Sequence, residues 1–255
     1  MKAIILAAGY ATRLYPLTLT RPKSLLPVAG RPILDYIVDR LGEVEGIDEV
    51  YVVTNTKFVA QFDRWAAERS NLPMPFRISV LNDGSTDEEN KLGAIGDIAF
   101  VLHAHHIEDD VIVIAGDNLV SGNFKEFGVL CREKNAPIFG VYDVGNKEDA
   151  KKFGVVSMSE KGVVTRFEEK PRVPGSTLIS IALYFYPQSV LPLLRRYLEE
   201  GNSLDQPGRF IQWLYTRMPV YGWKVPGMWY DIGSPETLAE ADRAFSEFRS
   251  RESLG

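Results

Sequence analysis

Two uninterrupted apolar runs, Ala3-Ile-Ile-Leu-Ala7 and Val111-Ile-Val-Ile-Ala115, each end at a glycine-containing turn. A strand that exposes one face to water alternates apolar and polar residues. A continuous run bounded by turn residues marks a strand covered on both faces, as in a sheet sandwiched between helices. Between and after these runs, strand-like and helix-like segments alternate. Glu49–Thr54 and Phe76–Leu81 read as strands. Ile33, Leu34, Ile37, Val38 and Leu41 form one helical stripe opened by Pro32, and Phe58, Phe62 and Trp65 form another. Leu92–His103 reads as a third helix. This alternation predicts an α/β fold with right-handed crossovers, a mainly parallel sheet and helices on both faces.

The second half is less regular. Pro137–Asp143 and Ile179–Tyr186 read as strands, and Gly154–Met158 and Val163–Phe167 as a hairpin about Glu160-Lys-Gly162. Pro187–Glu200 reads as a helix with Val190, Leu191, Leu194 and Leu198 facing the core. Val220–Val225 is a late strand, and Ser234-Pro-Glu-Thr237 opens the last helix.

At 255 residues the chain can bury a full core without staples. Its single cysteine, Cys131, permits no internal disulfide, suits a reducing compartment, and reads as a small apolar residue in a helix. A net charge of −5 argues against a nucleic-acid binder. No segment approaches the ~20 apolar residues of a membrane span. The first apolar run is too short, and too soon followed by Arg, Thr and Pro, for an export signal.

Gly9 to Ala29 predicts a long loop, and loops of that length inside a compact domain are usually functional. Ala7-Ala-Gly9 has the small residues that let backbone N–H groups approach an anion, and Arg13 and Lys23 add cations beside it. A triphosphate needs that combination, although an ordinary turn with solvated basic residues reads the same way. The pattern is neither a P-loop nor a dinucleotide fingerprint. Asp117 follows a buried strand, where α/β sheets bind ligands, and could hold Mg²⁺. Asp231, in Trp229-Tyr-Asp-Ile-Gly233, could complete the metal site, and Trp229 could position it. Either Asp could instead cap a turn. Glu169-Lys170 at a strand end could grip hydroxyls and a phosphate, or be a solvated strand end. His103, His105 and His106 read as surface histidines, and Trp65, Trp213 and Trp223 as packing residues.

Taken together, Met1-Lys-Ala-Ile-Ile-Leu-Ala-Ala-Gly9, Thr12-Arg-Leu14, Pro22-Lys-Ser-Leu-Leu-Pro-Val28, Gly30-Arg-Pro32, Gly116-Asp-Asn118, Glu169-Lys-Pro171 and Trp229-Tyr-Asp-Ile-Gly233 resemble, in order, the motifs of sugar nucleotidyltransferases such as glucose-1-phosphate thymidylyltransferase. The resemblance implies a three-layer αβα, Rossmann-like nucleotidyltransferase fold with a mixed, mostly parallel sheet. It implies one domain over 1–255, with a nucleotide-binding half (1–120), an acceptor-binding half (121–233) and a C-terminal helix (234–255). It also implies coupling of a nucleoside triphosphate to a sugar 1-phosphate with release of pyrophosphate, Mg²⁺ dependence and a cytoplasmic location, with homo-oligomerisation left open.

By the same resemblance Arg13, Lys23 and Asp117 are catalytic. Leu6, Ala7, Gly9, Arg13, Lys23, Asn82 and Gly93 bind the nucleotide. Gly154, Glu169, Lys170 and Ser180 bind the acceptor, and Asp117 and Asp231 hold the metal. Three positions depart from the family pattern. Ala11 stands where glycine is frequent, 83–91 is long and acidic, and Ser180-Ile-Ala182 replaces a glycine-containing segment. Two alternatives stay open: a cytidylyltransferase acting on a non-sugar phosphate or phosphonate, and an inactive nucleotide-sugar-binding regulator.

Overall fold

The computed structural model describes residues 1–252. In chain order the elements are β1 (Lys2–Leu6), β2 (Pro27–Val28), β3 (Arg31–Pro32), α1 (Ile33–Leu41), β4 (Glu49–Thr54), α2 (Val59–Arg69), β5 (Arg77–Asn82), α3 (Ala94–Ala104), β6 (Val111–Ala115), β7 (Asn118–Val120) and α4 (Lys125–Lys134). They continue with β8 (Ile138–Asp143), α5 (Lys147–Ala150), β9 (Gly154–Met158), β10 (Val164–Glu169), β11 (Leu178–Tyr186), α6 (Leu191–Glu199), α7 (Pro207–Leu214), β12 (Tyr221–Lys224), β13 (Trp229–Asp231) and α8 (Pro235–Glu252). The C-terminal helix expected over 234–255 is α8, and Ser253, Leu254 and Gly255 lie outside the described residues.

The chain folds as two compact units interleaved along the sequence. One comprises Met1–Ile4, Leu92–Ile114 and Lys125–Val225. Its strands run in the order β10-β9-β11-β6 and on to the first residues of β1, while β8 pairs with β11 and β12. β11 is antiparallel to β6, β8 and β9, whereas β12 is parallel to β8. The β9–β10 pair is the hairpin expected from sequence. α7 packs against β10 and β11, and α3 and α6 pack against α7.

The other unit comprises Ile5–Lys91, Ala115–Phe124 and Pro226 onward. The end of β1 is followed by β4 and β5, which are parallel and in register from Glu49–Arg77 to Thr54–Asn82. α2 covers β4 and β5. β7 and β13 form a separate antiparallel ribbon, with α1 packed on β7 and α8 on β13.

This is the α/β architecture with flanking helices that strand–helix alternation predicts, and its sheet is mixed, as the family resemblance implies. The apolar runs behave as expected: Ile4, Ile5, Val111, Ile112 and Val113 are fully buried, as are Ile33, Leu34, Val38 and Leu41 of α1. Each such side chain contributes roughly 1.5–3 kcal/mol of burial. Cys131 is buried in α4, and burial pushes its thiol far above the ordinary range. Among the described residues no helix is long and apolar enough to cross a membrane.

Several sequence expectations are corrected. The third helix starts at Ala94 rather than Leu92, because Gly93 has φ +80° and cannot open a helix in that conformation. α7 was not anticipated, although Pro207 at its first position is a helix-start signal. Leu191 and Leu198 of α6, expected in the core, are only half-buried. They line a cavity of about 330 Å³ with Leu102 and His106, whereas Val190 and Leu194 are buried as expected. The long loop after Gly9 carries two short 3₁₀ turns, Thr12–Leu14 and Lys23–Leu25.

Candidate active site

The site in the second unit is built on strand ends. Gly116 N–H donates to the Leu6 carbonyl at 2.8 Å, and Ala7 N–H to Val53 at 2.8 Å, so the exits of β1, β4 and β6 lie side by side. Asn55, fully buried, donates from Nδ2 to the Ala8 carbonyl at 2.8 Å and accepts from Phe58 N–H at 3.2 Å. It holds the Ala7-Ala8-Gly9 backbone against the end of β4. A Cβ on Gly9 would meet nothing within 4 Å, so this backbone faces open space. Ala11 lies in the left-handed region at φ 50°, ψ 44°, and its carbonyl accepts from the buried Thr18 hydroxyl at 2.8 Å. That conformation explains why glycine suits this position in the family pattern.

Gly116 is needed where the second 3₁₀ turn approaches. A Cβ there would stand 2.5 Å from Ser24 Oγ and 3.0 Å from the Leu6 carbonyl oxygen. The turn therefore sits directly on the end of β6, and Lys23 Nζ forms an ion pair with Asp117 Oδ2. Both side chains are about four-fifths covered, at 19% and 22% exposure, so the pair is more strongly held than a surface pair.

Asp231 arrives from the ribbon. β13 pairs with β7 in the register Trp229–Val120, Tyr230–Leu119 and Asp231–Asn118, and Ile232 N–H donates to the Asp117 carbonyl at 3.2 Å. Trp229 Nε1 donates to Asn118 Oδ1 at 3.0 Å, a side-chain link across the ribbon that favours this register. Downstream, the Ser234 hydroxyl accepts from Thr237 N–H at 3.3 Å, and the Thr237 hydroxyl accepts from Ser234 N–H at 3.0 Å. This reciprocal cap fixes the turn that follows Asp231 to α8. Arg13 reaches the same turn, its Nη2 lying 3.7 Å from where a Cβ on Gly233 would be.

Arg13, Lys23, Asp117 and Asp231 therefore converge. Burial pushes the Asp231 carboxyl upward, and the hydrogen-bonded Asp117 carboxylate adds to this, against the pull of Lys23 and Arg13. Two adjacent carboxyls held together by surrounding cations suit a hard divalent ion. Mg²⁺ takes one or two protein carboxylates and completes its shell with water and phosphate oxygens, so this donor set fits it. The histidines at 103, 105 and 106 are exposed. Among the described residues no group of three or more His, Cys, Asp or Glu side chains could hold a metal.

Asn82, at the end of β5, is exposed, and its Oδ1 accepts from Gly84 N–H at 2.9 Å and Thr56 Oγ1 at 3.1 Å. Its side chain thus shapes the acidic loop that follows. Gly93 lies in the other compact unit, where a Cβ would strike the Leu204 carbonyl oxygen at 2.7 Å, and Ile95 N–H donates to that carbonyl.

The first unit holds the expected acceptor residues. Gly154 pairs with Glu169 across β9–β10 and with Ser180 across β9–β11. The Glu169 carboxyl is raised by burial, opposed by Lys170 and Arg209. Ser180 is buried and hydrogen-bonds Tyr184. Lys170 is exposed at φ 48°, and its N–H donates to the Phe153 carbonyl at 3.1 Å. α7 adds Gly208, Arg209 and Gln212, which sequence reasoning missed with the helix itself. Gln212 Oε1 accepts from Glu169 N–H at 3.3 Å.

Residues 2–247 match the family model described as nucleotidyl transferase. The chain is 29% identical over 243 residues to the bifunctional protein GlmU of Methanocaldococcus jannaschii, covering 95% of this chain but 54% of that protein. It thus spans about half the length of that relative. It is 27% identical over 257 residues to the UTP–glucose-1-phosphate uridylyltransferase AglF of Haloferax volcanii, covering 97% of each. A solved structure of UDP-glucose pyrophosphorylase complexed with UDP-glucose superposes with a TM-score of 0.79 at 23% identity, covering 96% of this chain and 98% of the other, which shows the shared fold. With its motifs in order and its family match running almost end to end, the chain belongs to the nucleotidyl transferase family.

Proposed function

We propose that the protein couples a nucleoside triphosphate to a sugar 1-phosphate, giving a nucleoside diphosphate sugar and pyrophosphate. The observation that carries this reading is the gathering of Arg13, Lys23, Asp117 and Asp231 beside the open Ala7–Gly9 backbone. A binding module has no need of two neighbouring carboxyls against a basic loop, whereas a displacement at phosphorus does.

An acceptor phosphate oxygen attacks the α-phosphorus in line. The new P–O bond forms as the bond to pyrophosphate breaks. A phosphate monoester, with a second pKa of about 6, is largely ionised at neutral pH, so no strong base is required. Arg13 stabilises charge on the α-phosphate and the leaving pyrophosphate, and Lys23 leaves Asp117 to bind phosphate oxygens. Asp117 and Asp231 would hold Mg²⁺, which when bound neutralises triphosphate charge. The Ala7–Gly9 backbone cradles the nucleotide together with Leu6 and Asn82, and Gly93 is assigned to the same ligand.

Glu169, Gly154 and Ser180 bind the sugar, and Lys170 its phosphate. A sugar acceptor is favoured by the partly buried Glu169 carboxyl, which suits hydroxyl donors, and by relatives named for glucose-1-phosphate. A cytoplasmic setting goes with this reading.

The test is pyrophosphate release from each common nucleoside triphosphate against a panel of sugar 1-phosphates, phosphocholine and aminoethylphosphonate. Turnover with a sugar 1-phosphate, lost in Asp117→Ala, supports the reading. Turnover only with a non-sugar phosphate, or none at all, overturns it.

A further inference from the structure

The Glu169 carboxylate lies in a slot between two bare backbones. At Gly154 a Cβ would stand 3.0 Å from Glu169 Oε2, and at Gly208, the second residue of α7, 2.2 Å from the same oxygen. Filling the two positions has different consequences. At Gly154 the nearer obstacle is the ring of the buried Phe167, at 2.5 Å, so a methyl group there disturbs the core. At Gly208 the obstacle is the free end of a flexible side chain, with the Phe167 ring next at 3.3 Å. Gly208 has no positive φ, and alanine favours a helix, so the backbone accepts a methyl group. The carboxylate must then swing away while the strand end stays anchored by Gln212.

We infer that Gly208 is a positioning residue: its missing side chain leaves the Glu169 carboxylate in the orientation that receives acceptor hydroxyl groups. This rests on the reading of Glu169 as an acceptor ligand. A charged acceptor makes the stronger hydrogen bonds, and their strength depends on direction. Misplacing such a group by an ångström can cost ~100-fold. α7 would thereby tune acceptor affinity without touching the acceptor itself.

The test compares Gly208→Ala, Glu169→Gln, Glu169→Asp and the double variant Glu169→Asp/Gly208→Ala in steady-state kinetics. Gly175→Ala, where a Cβ meets nothing within 4 Å, is the control. Gly208→Ala is expected to raise KM for the sugar 1-phosphate about 10- to 100-fold. KM for the triphosphate and the melting temperature should stay near wild type. Aspartate is one methylene shorter and makes room for the methyl group, so the double variant should behave like Glu169→Asp alone. If Gly208→Ala proves insoluble, the double variant carries the comparison. Normal acceptor KM in Gly208→Ala with an impaired Glu169→Gln overturns the inference but leaves the role of Glu169 intact. Normal acceptor KM in both variants removes the role of Glu169 and the inference with it. Equal losses for both substrates, or a double variant additive in its defects, show a merely structural glycine and also overturn it.

Discussion

Asn118 and Asp231 are direct partners across the β7–β13 ribbon, and this register brings Asp231 to Asp117. Asp117 immediately precedes the paired Asn118, so its carbonyl lies within reach of Ile232 N–H just past Asp231. A slip of one residue would turn Asp231 to the opposite face of the ribbon. The Trp229–Asn118 hydrogen bond opposes that slip.

Asp231→Asn removes a carboxylate that is held against Asp117 and raised by burial. Turnover is expected to fall ~100-fold or more, since a site carboxylate offsets several kcal/mol of charge. Melting in the presence of a chelator should occur at or above the wild-type temperature, because a like-charge contact has gone. Stopped-flow pyrophosphate assays and calorimetry together check both halves.

Arg13→Ala should lower kcat by roughly 10²–10³ with little change in stability, because the side chain is exposed and acts as a transition-state donor. Near-normal kcat would remove Arg13 from the chemistry.

Gly116→Ala places a methyl group 2.5 Å from Ser24 Oγ. Forcing the Lys23 turn off the strand end should cost about 1–3 kcal/mol of stability and much of the activity. Adding Ser24→Ala should recover part of both, as urea titration of the four corners of the cycle would reveal.

Ala11 occupies the left-handed region. Ala11→Gly should therefore change stability by less than about 1 kcal/mol, whereas Ala11→Val should cost about 1–3 kcal/mol. Thermal melts of both variants make the comparison.

Burial alone would raise the Asp39 carboxyl, but hydrogen bonds from Arg31 and Arg69 hold it below its ordinary value. A lowered folded pKa means the stabilisation is present above the unfolded pKa and disappears as pH falls through the folded one. Asp39→Asn should therefore be less stable than wild type at neutral pH. The gap should close below the ordinary carboxylate range, in denaturant titrations run across acidic pH.

Local chemistry by itself determined much of this protein. The apolar runs of β1 and β6, the α1 stripe, the β9–β10 hairpin and the basic residues after Gly9 were legible because burial periodicity and turn residues act over a few positions. Pairings between distant segments were not legible. β7 and β13 are three-residue strands more than 100 positions apart, too short to carry a periodic signal. Asn55 reads as an ordinary polar residue until the Ala8 carbonyl is placed against it. Gly208 looks like any glycine near a helix start until Glu169 stands over it. Only tertiary structure decides such contacts, because hydrogen bonding and steric exclusion depend on positions in space that no local pattern encodes.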